Sequence, residues 1–219
     1  MLNKKMVARL VAEFLGTGIL VIVTLILALT TGVSYFIATS TAVTLSLVYM
    51  FFSSVSGGYF NPAITLGMWT AKMIGTVRAL SYMAVQFLGG FVAWQLFQYL
   101  VERPVPVKNI GYNNHVLAAE IVGTAILAMG LTSVVARGLS ALESALTYGA
   151  SLFVGIMVAA TASAAYLNPA TALGLRSFSV VYVLGPVVGA LVGVNLYVWL
   201  FSPKPPKFSL RAFKKRFSR

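Results

Sequence analysis

Six long apolar runs constrain the fold of this chain more than any other feature of its sequence. They cover about 10–31, 35–55, 79–101, 116–136, 144–165 and 180–202. Each run approaches the roughly 20 residues that a helix needs to cross a bilayer. Only 9% of the residues are charged, whereas soluble domains carry about 25%. The sequence therefore predicts an all-α membrane protein in which six helices cross the bilayer.

The basic residues predict how the chain is oriented. If the N-terminus is cytoplasmic, most of the sixteen cations lie inside: Lys4, Lys5, Arg9, Lys72, Arg78, Arg137 and the seven from Lys204 onward. Only Arg103, Lys108 and Arg176 then lie outside. By the positive-inside rule we expect both termini to be cytoplasmic, in a cell membrane. This placement accounts for the net charge of +12 without a nucleic-acid partner.

The basic tail, residues 203–219, leaves two interpretations open. Its cations either only fix the topology of the last helix or also bind anionic lipid, with three phenylalanines dipping into the interface.

An internal repeat organises the whole chain. VAEFLGTGIL at 11–20 is echoed by AAEIVGTAIL at 118–127, and GGYFNPAITLG at 57–67 is echoed by AAYLNPATALG at 164–174. Both pairs are offset by 107 positions, which indicates duplication. A weaker echo pairs Gly89 with Gly189, so the second half lacks about seven residues before its last span. The repeats cover about 8–101 and 115–202.

The odd number of spans in each repeat predicts inverted topology. Three spans reverse the direction of entry, so the two halves enter the membrane in opposite senses. The short apolar stretches at 61–71 and 168–176 are too brief to cross. We expect them to form two re-entrant half-helices that dip in from opposite faces.

The Asn-Pro-Ala at the start of each stretch predicts what the half-helices do. Asn is a favoured helix N-cap, and Pro suits the first turn, where its missing N–H costs nothing. Both positive dipole ends would then face the midplane. The side-chain oxygens of Asn61 and Asn168 can be held by backbone N–H groups of their own helices, which leaves their NH₂ groups aimed into a cavity. Such donors would hold a neutral polar molecule and repel a cation. The pattern predicts a channel constriction for small uncharged solutes.

The inventory of reactive side chains favours no other chemistry. The chain has no Cys, no Asp and a single His, so we expect no enzyme activity, no cofactor and no metal site. Two rivals remain. A coupled secondary transporter also uses inverted repeats and broken helices, and a non-conducting structural membrane protein could share the fold.

The motifs quoted above, with QFLGG at 86–90 and LGPVVGALVG at 184–193, resemble the aquaporin (major intrinsic protein) family over residues 8–202. The resemblance implies an inverted-repeat bundle of six helices plus two half-helices, with one pore per subunit and usually a homotetramer. It implies that Pro62, Ala63, Pro169 and Ala170 pack the half-helices together. It also implies that Glu13 and Glu120 brace the two loops, which suits buried carboxylates that need partners. Residues 1–202 would form one channel domain.

The sequence departs from the family at its outer filter. Counted from the two asparagines, the four filter positions hold small or apolar side chains: Thr41, Ile156, Ala165 and Thr171. Most members place Arg directly after the second Asn-Pro-Ala, where this chain has Thr171. We therefore expect a wider and less electropositive filter, which passes water or solutes such as glycerol, urea, ammonia and hydrogen peroxide. Arg176 either lines the outer lip or bends back into the filter.

Overall fold

The computed structural model describes residues 3–202, which form eight helices joined by short connections. In chain order they are α1 (Lys4–Thr30), α2 (Ser34–Ser56), α3 (Pro62–Thr70), α4 (Thr76–Val101), α5 (Asn114–Arg137), α6 (Ala141–Ala159), α7 (Pro169–Gly174) and α8 (Val180–Phe201). Strands are absent from residues 3–202. The predicted basic tail, 203–219, lies outside the described residues.

The six long helices are apolar enough to cross a membrane. Their most apolar 18-residue windows have mean hydropathies between 1.3 and 2.4. Many outward-facing side chains are large and apolar, such as Phe51 at 62% exposure, which suits contact with lipid rather than water. Because six is an even number of crossings, the start of α1 and the end of α8 lie on the same side of the membrane. We call this the termini side and its counterpart the far side.

The predicted fold class, six transmembrane helices plus two re-entrant half-helices, is confirmed, with one boundary corrected. The fifth long helix, α6, ends at Ala159, six residues before the predicted end of its span. Residues 160–163 form a turn in which the N–H of Ser163 donates to the carbonyl of Ala159 at 2.9 Å. Ala165 then takes a positive φ of 54°. Ala165 therefore belongs to the loop before α7.

Two glycines let the helices of each repeat pack backbone against backbone. A Cβ added to Gly89 in α4 would lie 2.6 Å from the carbonyl oxygen of Phe14 in α1. A Cβ added to Gly189 in α8 would lie 2.3 Å from the carbonyl oxygen of Ile121 in α5. Phe14 and Ile121 are 107 positions apart. The two contacts are thus equivalent, and they agree with the offset of 100 that pairs the glycines.

Each half-helix packs against the last long helix of the other repeat. In α3, a Cβ on Gly67 would lie 2.8 Å from the carbonyl oxygen of Ala190 in α8. On the other side, a Cβ on Gly90 in α4 would lie 2.5 Å from the carbonyl oxygen of Ala170 in α7. Each half-helix is thus packed into the opposite repeat, and this arrangement brings the starts of α3 and α7 together in the core.

Candidate functional site

Asparagines cap both half-helices at the point where these meet. Asn61 precedes α3, and its Oδ1 accepts from the N–H groups of Ala63 at 2.9 Å and Ile64 at 3.4 Å. Asn168 precedes α7, and its Oδ1 accepts from the N–H of Ala170 at 2.9 Å. A proline follows each asparagine at the first helical position, where no N–H is required.

The same asparagines tie the two loops to each other. Asn61 Nδ2 donates to the carbonyl of Leu167 at 2.8 Å, and Asn168 Nδ2 donates to the carbonyl of Phe60 at 3.0 Å. The prediction placed both hydrogens of each NH₂ group toward the cavity, and this is wrong for one of them. An amide NH₂ carries two donors, so one hydrogen of each group joins the loops.

Glu13 accepts three hydrogen bonds beneath the first loop. Its Oε1 accepts from the N–H of Tyr59 at 3.1 Å, and its Oε2 accepts from the N–H of Phe60 at 2.7 Å. Gln86 Nε2 donates to the same Oε2 at 2.8 Å. Glu13 is fully buried, and a carboxylate in such a place needs partners of this kind.

Glu120 repeats the arrangement in the second half. It accepts from the N–H groups of Tyr166 at 3.0 Å and Leu167 at 2.8 Å. Its third partner is the hydroxyl of Ser163. The sequence predicted the two carboxylates but missed Ser163 and Gln86. Ser163 could have been found, because a serine stands five residues before the asparagine of each Asn-Pro-Ala, Ser56 in the first half and Ser163 in the second.

These contacts position residues whose backbone is strained. Phe60 and Leu167 have φ angles of 50° and 52°, a left-handed conformation that non-glycine residues rarely adopt and that costs about 1–3 kcal/mol. The N–H of each residue is bound by a glutamate, and its carbonyl accepts from the asparagine of the opposite loop. Four hydrogen bonds therefore offset the strain.

A narrow cavity runs along this junction. The residues that line it are Leu20, Thr24, Thr41, Leu45, Tyr59, Phe60, Asn61, Leu127, Tyr148, Leu152, Ile156, Ala165, Tyr166, Asn168 and Thr171. None of these residues is charged. About 20 Å³ of the cavity is open to the centre of a water-sized sphere, and a single water needs roughly 10–15 Å³ by this measure. The cavity therefore fits one or two water molecules.

The predicted site residues fall into two groups: some line the cavity, and the others are buried away from it. Both asparagines and all four predicted filter positions line the cavity. The prolines and alanines of the two tripeptides are buried but do not line it. Arg176 also lies elsewhere: its Nη1 donates to the carbonyl of Val105 at 3.0 Å, and its guanidinium stacks 4.9 Å from the Trp94 ring centroid.

Metal ligands are not gathered anywhere in the described part of the chain. Within residues 3–202, no group of three or more His, Cys, Asp or Glu side chains lies close enough to hold an ion.

The family model described as "MIP: Major intrinsic protein" matches residues 1–197. The chain belongs to the major intrinsic protein family. The resemblance predicted from the duplicated motifs is thereby confirmed. Family membership also confirms the expectation that the chain is not an enzyme, since the family comprises channels.

Named relatives of this major intrinsic protein include aquaporins from bacteria and mammals. Aquaporin Z of Photorhabdus laumondii is 26% identical over an alignment of 230 positions, gaps included, that covers 91% of the chain and 100% of the relative. Aquaporin-4 of Bos taurus and of Homo sapiens are each 29% identical over 184 residues, or 77% of the chain. The match spans only 56% of the length of either aquaporin-4.

A solved structure shares the fold. The aquaglyceroporin from Plasmodium falciparum superposes with a TM-score of 0.77, covering 90% of this chain and 98% of that one. Sequence identity is 19%, so the likeness speaks to the fold alone.

Proposed function

We propose that this protein is a passive transmembrane channel for water and small uncharged solutes. One observation carries the proposal: an uncharged cavity of molecular width passes both asparagine caps, at the point where the two half-helices meet. Family membership supports it.

The geometry favours neutral molecules over ions. Two helix N-termini meet at the asparagines, and each carries a partial positive charge, so a cation would be repelled there. Stripping water from an ion costs far more than stripping it from a neutral molecule, unless fixed charges replace the water. The lining side chains supply amides, hydroxyls and hydrocarbon but no fixed charge.

Each predicted residue has a proposed role in this channel. Asn61 and Asn168 orient the solute by donating to its oxygen, while Glu13 and Glu120 hold the loops that carry them. Thr41, Ile156, Ala165 and Thr171 line the entrance on the far side. Because that entrance lacks a fixed positive charge, we assign ion exclusion to the centre of the channel.

The test is a flux panel on purified protein in liposomes. Stopped-flow light scattering and uptake assays compare water, glycerol, urea, ammonia and hydrogen peroxide against empty vesicles. We expect faster osmotic shrinkage and downhill flux of at least one small solute. Flux that depends on a proton or sodium gradient would indicate a coupled transporter. If the permeability for every solute equals that of empty vesicles, the result would favour a non-conducting structural protein instead.

The placement and assembly of the channel are part of the proposal. Residues 1–202 form one channel domain with a basic tail at 203–219, in a cell membrane, with both termini cytoplasmic. The bias of Lys and Arg toward the termini side supports this orientation, and the termini side is then the cytoplasmic side. We also propose a homotetramer, because the family resemblance implies one. Native mass spectrometry and protease access to the tail test these two points.

A further inference from the structure

The inverted repeat pairs every residue of the far-side entrance with a residue near the termini side. Adding or subtracting 107 pairs Thr41 with Tyr148, Ile156 with Tyr49, Ala165 with Gly58 and Thr171 with Ile64. The two sets sit at equivalent depths of the bundle, at opposite ends. The far-side set holds two threonines, an isoleucine and an alanine, whereas its counterpart holds two tyrosines, a glycine and an isoleucine.

The cavity is asymmetric in the same sense. It reaches Ile156, Ala165 and Thr171 toward the far side. Among the described residues that line it, the counterparts of these three are missing, and Tyr148 and Tyr59 are the lining residues nearest the termini side. The cavity therefore extends further toward the far side than toward the termini side, where Tyr148 stands at the position that Thr41 occupies in the other half.

The Tyr148 ring is held in place by its neighbours. Its hydroxyl donates to the carbonyl of Tyr59 at 3.1 Å. Its ring packs edge-on against that of Tyr49, with centroids 5.5 Å apart and planes at 73°. Tyr49 in turn lies over Gly58, where an added Cβ would approach its Cδ2 to 2.7 Å. Tyr148 is 1% exposed.

The backbone that carries the ring is fixed as well. α2 and α6 cross at Gly149, where a Cβ would lie 2.6 Å from the carbonyl oxygen of Ala42. Ser46 Oγ donates to the carbonyl of Ala145 at 3.0 Å across the same crossing. Because the helices touch backbone to backbone here, Tyr148 cannot move away from the cavity with its helix.

We propose that Tyr148, backed by Tyr49 and tied to Tyr59, forms the narrowest section of the pathway and sets the largest solute that passes. This inference rests on the proposed channel function and names a specificity-determining residue for it. The four far-side residues then admit solutes, and the constriction at Tyr148 selects among them by size.

The experiment compares the ratio of glycerol to water permeability in proteoliposomes. Tyr148→Thr installs the residue found at the equivalent position of the first half. Tyr148→Leu is a second variant that removes bulk and keeps apolar packing against Tyr49. Tyr148→Phe keeps the ring. The matched control is Tyr82→Phe, because Tyr82 is also buried and donates to a backbone carbonyl, that of Ser56 at 2.8 Å, but does not line the cavity.

We expect Tyr148→Thr and Tyr148→Leu to raise the permeability ratio about tenfold, equivalent to about 1.4 kcal/mol in relative barrier. Tyr148→Phe should stay within about twofold of the wild-type ratio because it keeps the ring that lines the cavity, and Tyr82→Phe should do so because Tyr82 does not line the cavity. A purely structural role would change the folded fraction and leave the ratio unaltered. If both shortened variants conduct water with the wild-type ratio, the constriction at Tyr148 is refuted and the channel stands. If wild type and all variants match empty vesicles, the channel function itself is refuted.

Discussion

Removing the Glu13 carboxylate should destabilise the protein more than removing any exposed carboxylate. Glu13→Ala leaves three donors without their acceptor: the N–H groups of Tyr59 and Phe60 and the Nε2 of Gln86. Each buried donor left unsatisfied costs about 1–3 kcal/mol, so the sum is roughly 3–9 kcal/mol. Folded proteins are stable by only about 5–15 kcal/mol. The predicted loss is therefore a large share of the free energy of unfolding.

Two further variants bracket this effect. Glu13→Gln keeps one acceptor oxygen and places an NH₂ against a donor, so we expect an intermediate loss of about 1–3 kcal/mol. Glu102→Ala is the control, because Glu102 is an exposed carboxylate at the end of α4. Its thermal midpoint should remain near that of wild type.

The assay is thermal unfolding of detergent-purified protein, followed by intrinsic fluorescence. A chain of this size loses about 2–4 °C of midpoint per kcal/mol, so Glu13→Ala should fall by at least about 6 °C. Glu13→Gln should lie between Glu13→Ala and wild type. A Glu13→Ala midpoint equal to that of Glu102→Ala would refute the idea that these bonds stabilise the first loop.

Three other variants test separate parts of the structure. Gly189→Ala should destabilise the protein by about 1–3 kcal/mol, since the added Cβ would lie 2.3 Å from the Ile121 carbonyl oxygen. Gly111→Ala is the control, because a Cβ on this exposed loop residue meets nothing within 4 Å, and equal unfolding midpoints would contradict the prediction. Asn168→Asp should lower the discrimination against cations, measured by vesicle conductance, because it places a carboxylate between the two helix N-termini; unchanged ion exclusion would count against a central barrier. Thr171→Arg should reduce glycerol flux more than water flux, and equal losses would contradict the placement of Thr171 at the entrance.

The fold followed from features that are local or periodic in the sequence. Six apolar runs gave six crossings, and three spans per repeat gave opposite orientations of the halves. The helix-start preference of Asn-Pro predicted both half-helices, and the structure begins them at Pro62 and Pro169. The end of α6 was not predictable in this way. Residues 160–165 remain small and mostly apolar, with no Gly or Pro to mark the turn.

The site was predicted less completely, since its contacts join distant parts of the chain. Gln86 bonds a carboxylate 73 positions away, and no local pattern signals this. The reciprocal bonds of the asparagines to the facing loops also escaped prediction, because they depend on how α3 and α7 meet. Tyr148 could have been predicted as a cavity residue, because the offset of 107 pairs it with Thr41. The functional roles of the filter positions stay predictions.

The absence of cysteine from the chain allows a direct measurement of the pathway. Thr41→Cys places a thiol in the cavity, while Val43→Cys, two residues along the same helix, places one on the outer face at 54% exposure. Osmotic water permeability of proteoliposomes is measured before and after a methanethiosulfonate reagent, with labelling verified by mass. The account predicts that modified Thr41→Cys falls to the level of empty vesicles, because the adduct fills a space that fits one or two waters, while Val43→Cys and wild type keep their flux. Undiminished flux through fully labelled Thr41→Cys would contradict a pathway between the two asparagines.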